Sequence, residues 1–213
     1  NQMLFADDWM VESGESLPAD ELAYAPAHPD NSFPAVAFGT GPMSASGTMS
    51  AAFSSVIACA QQELVISTPY FVPDHPLQAA LIACSRRGVA VTLIVPARND
   101  SWFVGTMSRA YYAPLIDAGV NIHEYHGGLL HAKTMVIDSE VALIGSANMD
   151  RRSLELNFEN NILLYSANTA TLIRERQNSY LAQASAVSAD DLQQRPAWKI
   201  MLQNFLTIFE PIF

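Results

Sequence analysis

Charge is scarce in this sequence. Charged residues make up 15% of 213, and acidic ones outnumber basic ones enough to give a net charge of -10. A nucleic-acid binder neutralises phosphates with a basic stripe. Here the basic pairs are Arg86-Arg87 and Arg151-Arg152, so nucleic acid is not an expected partner. Cysteine is nearly absent. Cys59 and Cys84 fall in stretches with helical patterning and share no metal-ligand spacing, so both are expected to be buried, reduced thiols. No apolar run reaches the roughly 18–20 residues that span a bilayer, and no stretch reads as a signal peptide. A Walker loop, a dinucleotide-type glycine fingerprint and an internal repeat are all missing. The first residue is Asn rather than Met, from which a fragment of a longer chain is expected.

Apolar residues are plentiful, at 50% of the chain, enough for one well-packed domain. Residues 1–42 read as a tail and linker: a short helix carrying Phe5, Trp9 and Met10, then a proline-rich stretch with one strand at 35–38. From about residue 43 the patterning is regular. A helix reaches position 62, Leu64-Val65-Ile66 forms a buried strand, and Asp74 caps a helix with Pro76 in its first turn. Further strands are predicted at 89–95 and 120–125, with one helix over 99–119 between them. Strands alternating with helices imply parallel pairing. The pattern then changes to a hairpin of strands at 131–138 and 141–145, a strand at 158–165, and helices at 169–184 and 196–210. The fold class expected for residues 43–213 is α/β, a mixed parallel and antiparallel sheet flanked by helices on both faces.

Residues 127–161 concentrate the chemistry-bearing side chains. Strand alternation puts His131 and Lys133 on one face and Asp138 on the other, so Asp138 is expected to be structural or orienting. Ser146 and Asn148 are also two apart. A hydroxyl, an amide and an ammonium converging beside an imidazole would suit phosphoryl transfer, because an imidazole with a pKa near ~6.5 can attack when neutral and donate when charged. Glu159 is the candidate acceptor to orient that imidazole. The residues alone leave a bland reading open, in which 148–150 merely cap the next helix. Arg109 is similarly open, between a phosphate contact and a solvated face.

His131, Lys133, Asp138, Gly145, Ser146 and Asn148 match the phospholipase D superfamily motif His-x-Lys-x4-Asp-x6-Gly-Ser-x-Asn at each fixed position. Thr68-Pro69-Tyr70-Phe71-Val72-Pro73, Asn99-Asp100-Ser101 and Leu156-Asn157-Phe158-Glu159 further resemble the C-terminal half of bacterial cardiolipin synthases. Residues 5–9 resemble the helix that ends the first half of those enzymes. The resemblance implies a phosphatidyltransferase that joins two phosphatidylglycerol molecules, releases glycerol, passes through a phosphohistidine and uses no metal or cofactor. It implies His131, Lys133, Asp138, Ser146, Asn148 and Glu159 as catalytic residues, with Lys133, Asn148 and Tyr70 binding substrate. The partners implied are phosphatidylglycerol and other anionic phospholipids at a bacterial membrane surface. That family builds its cleft from two such motifs, so the N-terminal half of the same enzyme, or a second copy, is a further expected partner. A hydrolytic phospholipase D and a nuclease of the same superfamily are the competing activities. The apolar face of 196–210 is open among a membrane surface, this domain and the missing half.

Overall fold

The computed structural model describes residues 2–18, 32–42, 44–194, and, beyond these, 196, 198, 201, 205 and 206. The helix predicted over 196–210 lies largely outside the described residues. Among those described, no helix is long and apolar enough to cross a membrane.

The core of the sheet is a parallel strand triplet, most apolar in its first two members: β2 (Glu63–Ser67), β4 (Ala90–Pro96) and β5 (Asn121–Tyr125), with β3 (Phe71–Val72) outside the main sheet. β2 pairs in parallel with β4, and β4 with β5. Both faces of these strands are covered, which is why Leu64-Val65-Ile66 shows no polar alternation. Leu64, Ile66, Leu93 and Val95 face a core built with Met49, Phe53, Leu77, Leu81 and Leu115. Those residues come from α2 (Thr48–Ala58), α3 (His75–Arg86) and α5 (Tyr112–Asp117). The intervening Val65 and Ile94 pack on the other side with Tyr180 and Leu181 of α7 (Ala167–Leu181).

Antiparallel strands extend the sheet. β6 (Thr134–Ile137) pairs with β2, β7 (Val141–Gly145) with β6, and β9 (Glu159–Tyr165) with β7. The strand predicted at 35–38 is β1 (Ala35–Thr40), the outermost strand, antiparallel to β9. β10 (Ala184–Ala186) closes the other edge against β5. The order is β1-β9-β7-β6-β2-β4-β5-β10, a mixed sheet with helices on both faces.

Three expectations need correction. The single helix over 99–119 is two, α4 (Trp102–Ser108) and α5. Pro114 would clash with the carbonyl four residues earlier in a continuous helix; restarting at Tyr112 puts it in a first turn, where no N–H is required. Cys84 is buried but Cys59, at the C-cap of α2, is exposed. Arg109 neither meets solvent alone nor stands free for a phosphate: its guanidinium pairs with Glu124 at 3.0 Å and donates to the Ala97 carbonyl.

Candidate active site

The motif residues other than Asp138 gather at one end of the sheet, where β2 and β7 finish and β6 and β9 begin. His131 and Lys133 precede β6 rather than lying on a strand. The reason is a lack of neighbours: β6 pairs as far as Ser67↔Thr134 on one side, and the Lys133 carbonyl still accepts from Gly145 N on the other. Beyond those points neither flanking strand continues. The segment nevertheless alternates. Leu130 and Ala132 pack with Tyr180 and Leu181 beneath the sheet, while His131 is exposed. Lys133 Nζ lies 3.0 Å from His131 Nδ1 and donates to the His131 carbonyl at 3.0 Å. An ammonium and an imidazole are thus held side by side.

Burial is the largest influence on Lys133 and pulls its pKa below the usual lysine value; the charges of Glu159, Asp150 and Asp100 oppose that shift. Lys133 therefore sits in the field of three carboxylates from three separate stretches of the chain.

Glu159 is 8% exposed, at the start of β9. It accepts from the Ser146 hydroxyl and, at 3.2 Å, from Asn157 Nδ2. Ser146 Oγ in turn accepts from Asn160 N at 2.9 Å. Among the described residues Glu159 makes no hydrogen bond to His131; its bonds here clamp the Ser146 turn. The turn is tight because Gly145 lies against Asn161. A Cβ at Gly145 would meet the Asn161 carboxamide and, at 2.7 Å, the Asn160 carbonyl.

Ser146 and Asn148 do not share a partner. β7 ends at Gly145, and Asn148 Nδ2 donates to Ser153 Oγ at 3.1 Å while its Oδ1 is buried without a protein partner. The capping role belongs to Asp150, which accepts from Ser153 N and starts α6 (Arg151–Glu155). Burial is the main cause that raises the Asp150 pKa, against the lowering effect of its bonds from Ser153. Met149-Asp150 form β8 (Met149–Asp150), which pairs in parallel with β3. That small sheet brings the stretch after Asn148 beside the one after Tyr70.

Asp138 stands at the other end of β6. Asp138 and Ser139 have φ of 51° and 54°, the left-handed central pair of a turn closed by Glu140 N on the Ile137 carbonyl, a shape that Asp is among the residues to adopt. Its carboxylate accepts from the backbone N–H of Gln61, Gln62 and Glu63 at 3.0, 2.8 and 2.8 Å. Burial raises its pKa, and the three N–H bonds together outweigh this and hold it low. Asp138 thereby ties the hairpin to the start of β2, away from His131 and Lys133.

Tyr70 lies by the imidazole, its ring edge-on to His131 with centroids 6.3 Å apart. Its hydroxyl donates to Asp100, 2.8 Å from each carboxylate oxygen. Asp100 directly precedes Ser101, the N-cap of α4. Its place at the site needs the parallel pairing of β2 and β4, which aligns the loops after both strands. A ≈530 Å³ groove runs from Ser146 and Glu159 along α1 (Gln2–Ser13), and a ≈420 Å³ one passes His131 and Lys133. Among the described residues no cluster of His, Cys, Asp or Glu has the makings of a metal site.

A family model described as "Cardiolipin synthase, PLD-like domain" matches residues 53–180. The chain is 31% identical over 214 residues to cardiolipin synthase A of Wigglesworthia glossinidia brevipalpis, covering 99% of this chain and 43% of that protein. It is 32% identical over 212 residues to cardiolipin synthase A of Pectobacterium carotovorum subsp. carotovorum, covering 99% and 44%. The chain thus spans less than half the length of these curated relatives. Among solved structures, the phospholipase D family member Nuc of Salmonella typhimurium aligns with a TM-score of 0.65 at 18% identity, over 73% of this chain and 99% of that one. The phosphatidylserine synthase of Haemophilus influenzae Rd KW20 aligns with a TM-score of 0.64 at 19% identity, over 96% of this chain and 50% of that one.

Proposed function

The chain belongs to the cardiolipin synthase, phospholipase D-like domain family, and on that premise we propose that it supplies one half of a phosphatidyltransferase joining two phosphatidylglycerol molecules into cardiolipin. The observation that carries this reading is His131 held against Lys133 at an open sheet end, 3.0 Å from Nδ1 to Nζ. An imidazole there has free approach to a phosphodiester, and the ammonium beside it offers charge to the non-bridging oxygens.

In the proposed reaction, a neutral imidazole nitrogen attacks phosphorus of the first phosphatidylglycerol. The phosphorus–oxygen bond to glycerol breaks, and the departing oxygen takes a proton from a second histidine across the cleft. That histidine then removes the proton from a hydroxyl of the second phosphatidylglycerol, whose oxygen attacks phosphorus and breaks the phosphorus–nitrogen bond. The chain contains a single copy of the motif, so the second histidine belongs to an N-terminal half or to another copy. His131 fills either role by this scheme. Lys133 and the Asn148 amide hold phosphate oxygens, Tyr70 lines the cleft, and Ser146, Glu159 and Asp138 hold the backbone that presents them. Phosphatidylglycerol and other anionic phospholipids at a bacterial membrane surface are the partners this reading calls for.

The test is cardiolipin formation from phosphatidylglycerol vesicles by the active assembly, with and without His131→Ala. Loss of cardiolipin by at least ~1,000-fold in the variant is expected for removal of a reacting group. Undiminished cardiolipin formation would overturn the assignment of His131. Phosphatidic acid as the main product would mean that water is the acceptor.

A further inference from the structure

We propose that Asp100, acting through Tyr70, is a positioning residue for the His131 imidazole. This rests on the reading of His131 as the reacting group.

A nucleophilic or proton-shuttling imidazole works only when its ring is held in one orientation, and a carboxylate on its second nitrogen is the usual holder. Among the described residues no carboxylate hydrogen-bonds His131. Glu159, which sequence order put in that role, is committed to Ser146 and Asn157. The imidazole instead has Lys133 Nζ at Nδ1 and the Tyr70 ring set perpendicular to it, at an interplanar angle of 89°. Edge-to-face rings attract weakly but hold each other's angle, so what fixes Tyr70 fixes one side of His131.

Tyr70 is fixed from two directions. Its backbone turn is held by Thr68 Oγ1 on the Tyr70 carbonyl at 2.9 Å, and by Asn99 Nδ2 on the Pro69 carbonyl at 2.8 Å. Its hydroxyl ends on Asp100, whose carboxylate is itself steadied by Ser101 N at 2.9 Å. The 68–70 and 99–101 turns are thus tied by one side chain-to-backbone bond and one side chain-to-side chain bond. Burial, followed by the bond to Asp100, pushes the Tyr70 pKa up to about 12, so the phenol remains a donor throughout the range in which histidine titrates.

Because Asp100 acts through Tyr70, the two cannot contribute independently. Tyr70→Phe, which keeps the ring and removes the hydroxyl, and Asp100→Ala are each expected to lower kcat roughly tenfold with little change in KM, the scale of a small misplacement of a reacting group. The double variant is expected to lose no more than either single one. Asp100→Asn, which keeps an acceptor oxygen, is expected to restore most of the rate. Nitrogen NMR of His131 in the 213-residue chain supplies a readout that needs no turnover: both single variants should shift the balance of ring tautomers in the same way. Additive losses in the double variant, or His131 ring signals identical to wild type in both single variants, would overturn the proposal. Absence of lipid transfer by the wild-type assembly would instead overturn the phosphatidyltransfer reading and leave the NMR result to decide this one.

Discussion

Asp138 is the motif residue whose work is most plainly mechanical. It occupies a left-handed turn position that a β-branched residue would strain, and its carboxylate collects three backbone N–H groups from another element. Those bonds, against the opposing effect of burial, hold its folded pKa below the ordinary value. The sign follows directly: a depressed carboxylate stabilises the fold above the unfolded pKa of ~3.9, and the stabilisation disappears as pH falls through the folded value. Asp138→Asn should therefore lower Tm at pH 7, with the gap to wild type closing below about pH 4; a gap of constant size across a Tm series from acid to neutral pH would contradict this. Gly145 is a second mechanical residue. Its missing Cβ leaves room for the Asn161 carboxamide and the Asn160 carbonyl, and Asn161 is fully buried. Gly145→Ala should cost ~1–3 kcal/mol by overpacking, measured by denaturant unfolding, and should displace Ser146 from Glu159.

At the scale of elements, α6 is a five-residue helix whose start is coupled to the site. Asp150 accepts from Ser153 N, and the Ser153 hydroxyl accepts from Asn148 Nδ2. Ser153 is fully buried, so Ser153→Ala leaves the Asn148 amide donor without this partner inside the protein, at a cost of ~1–3 kcal/mol in stability. If Asn148 binds phosphate as proposed, the variant should also raise KM for lipid phosphate more than it lowers kcat; an unchanged KM would separate Asn148 from substrate binding. Elements of this kind show what was legible in the sequence. Leu64-Val65-Ile66, the Asp74 cap and the β6–β7 hairpin were readable because each is specified by neighbours in sequence. The motif residues were readable because their spacing is local too. The Tyr70–Asp100 bond joins positions 30 apart and depends on β2 pairing with β4. The partner choice of Glu159 depends on Asn157 and Ser146 meeting across β7 and β9. The break between α4 and α5 has a local signal in Pro114. β3 and β8 have two residues each, too short for any period to show.

At the scale of the whole molecule, the proposed two-histidine reaction needs a second motif histidine beside the one this chain carries. The chain spans under half of its cardiolipin synthase relatives, and its own His131 stands exposed at a sheet end with no second motif histidine in the sequence. A displacement that needs one imidazole on phosphorus and another on the leaving oxygen cannot be run by two nitrogens of a single ring in one step. We therefore expect a monomeric preparation of the chain to be inactive, and robust turnover by a demonstrated monomer would refute the half-site reading. Two routes to completion then differ in their concentration dependence. If a second copy closes the cleft, turnover per chain rises with chain concentration as dimers form. An equal mixture with His131→Ala chains then keeps about one quarter of the wild-type activity, because each cleft would draw both histidines from separate copies at random. If a distinct N-terminal half closes it, turnover per chain does not change with dilution once that half is covalently joined, and added His131→Ala chains do not poison it. Sedimentation velocity run beside the cardiolipin assay separates the two, since the first route makes activity track the dimer fraction and the second makes it indifferent to it.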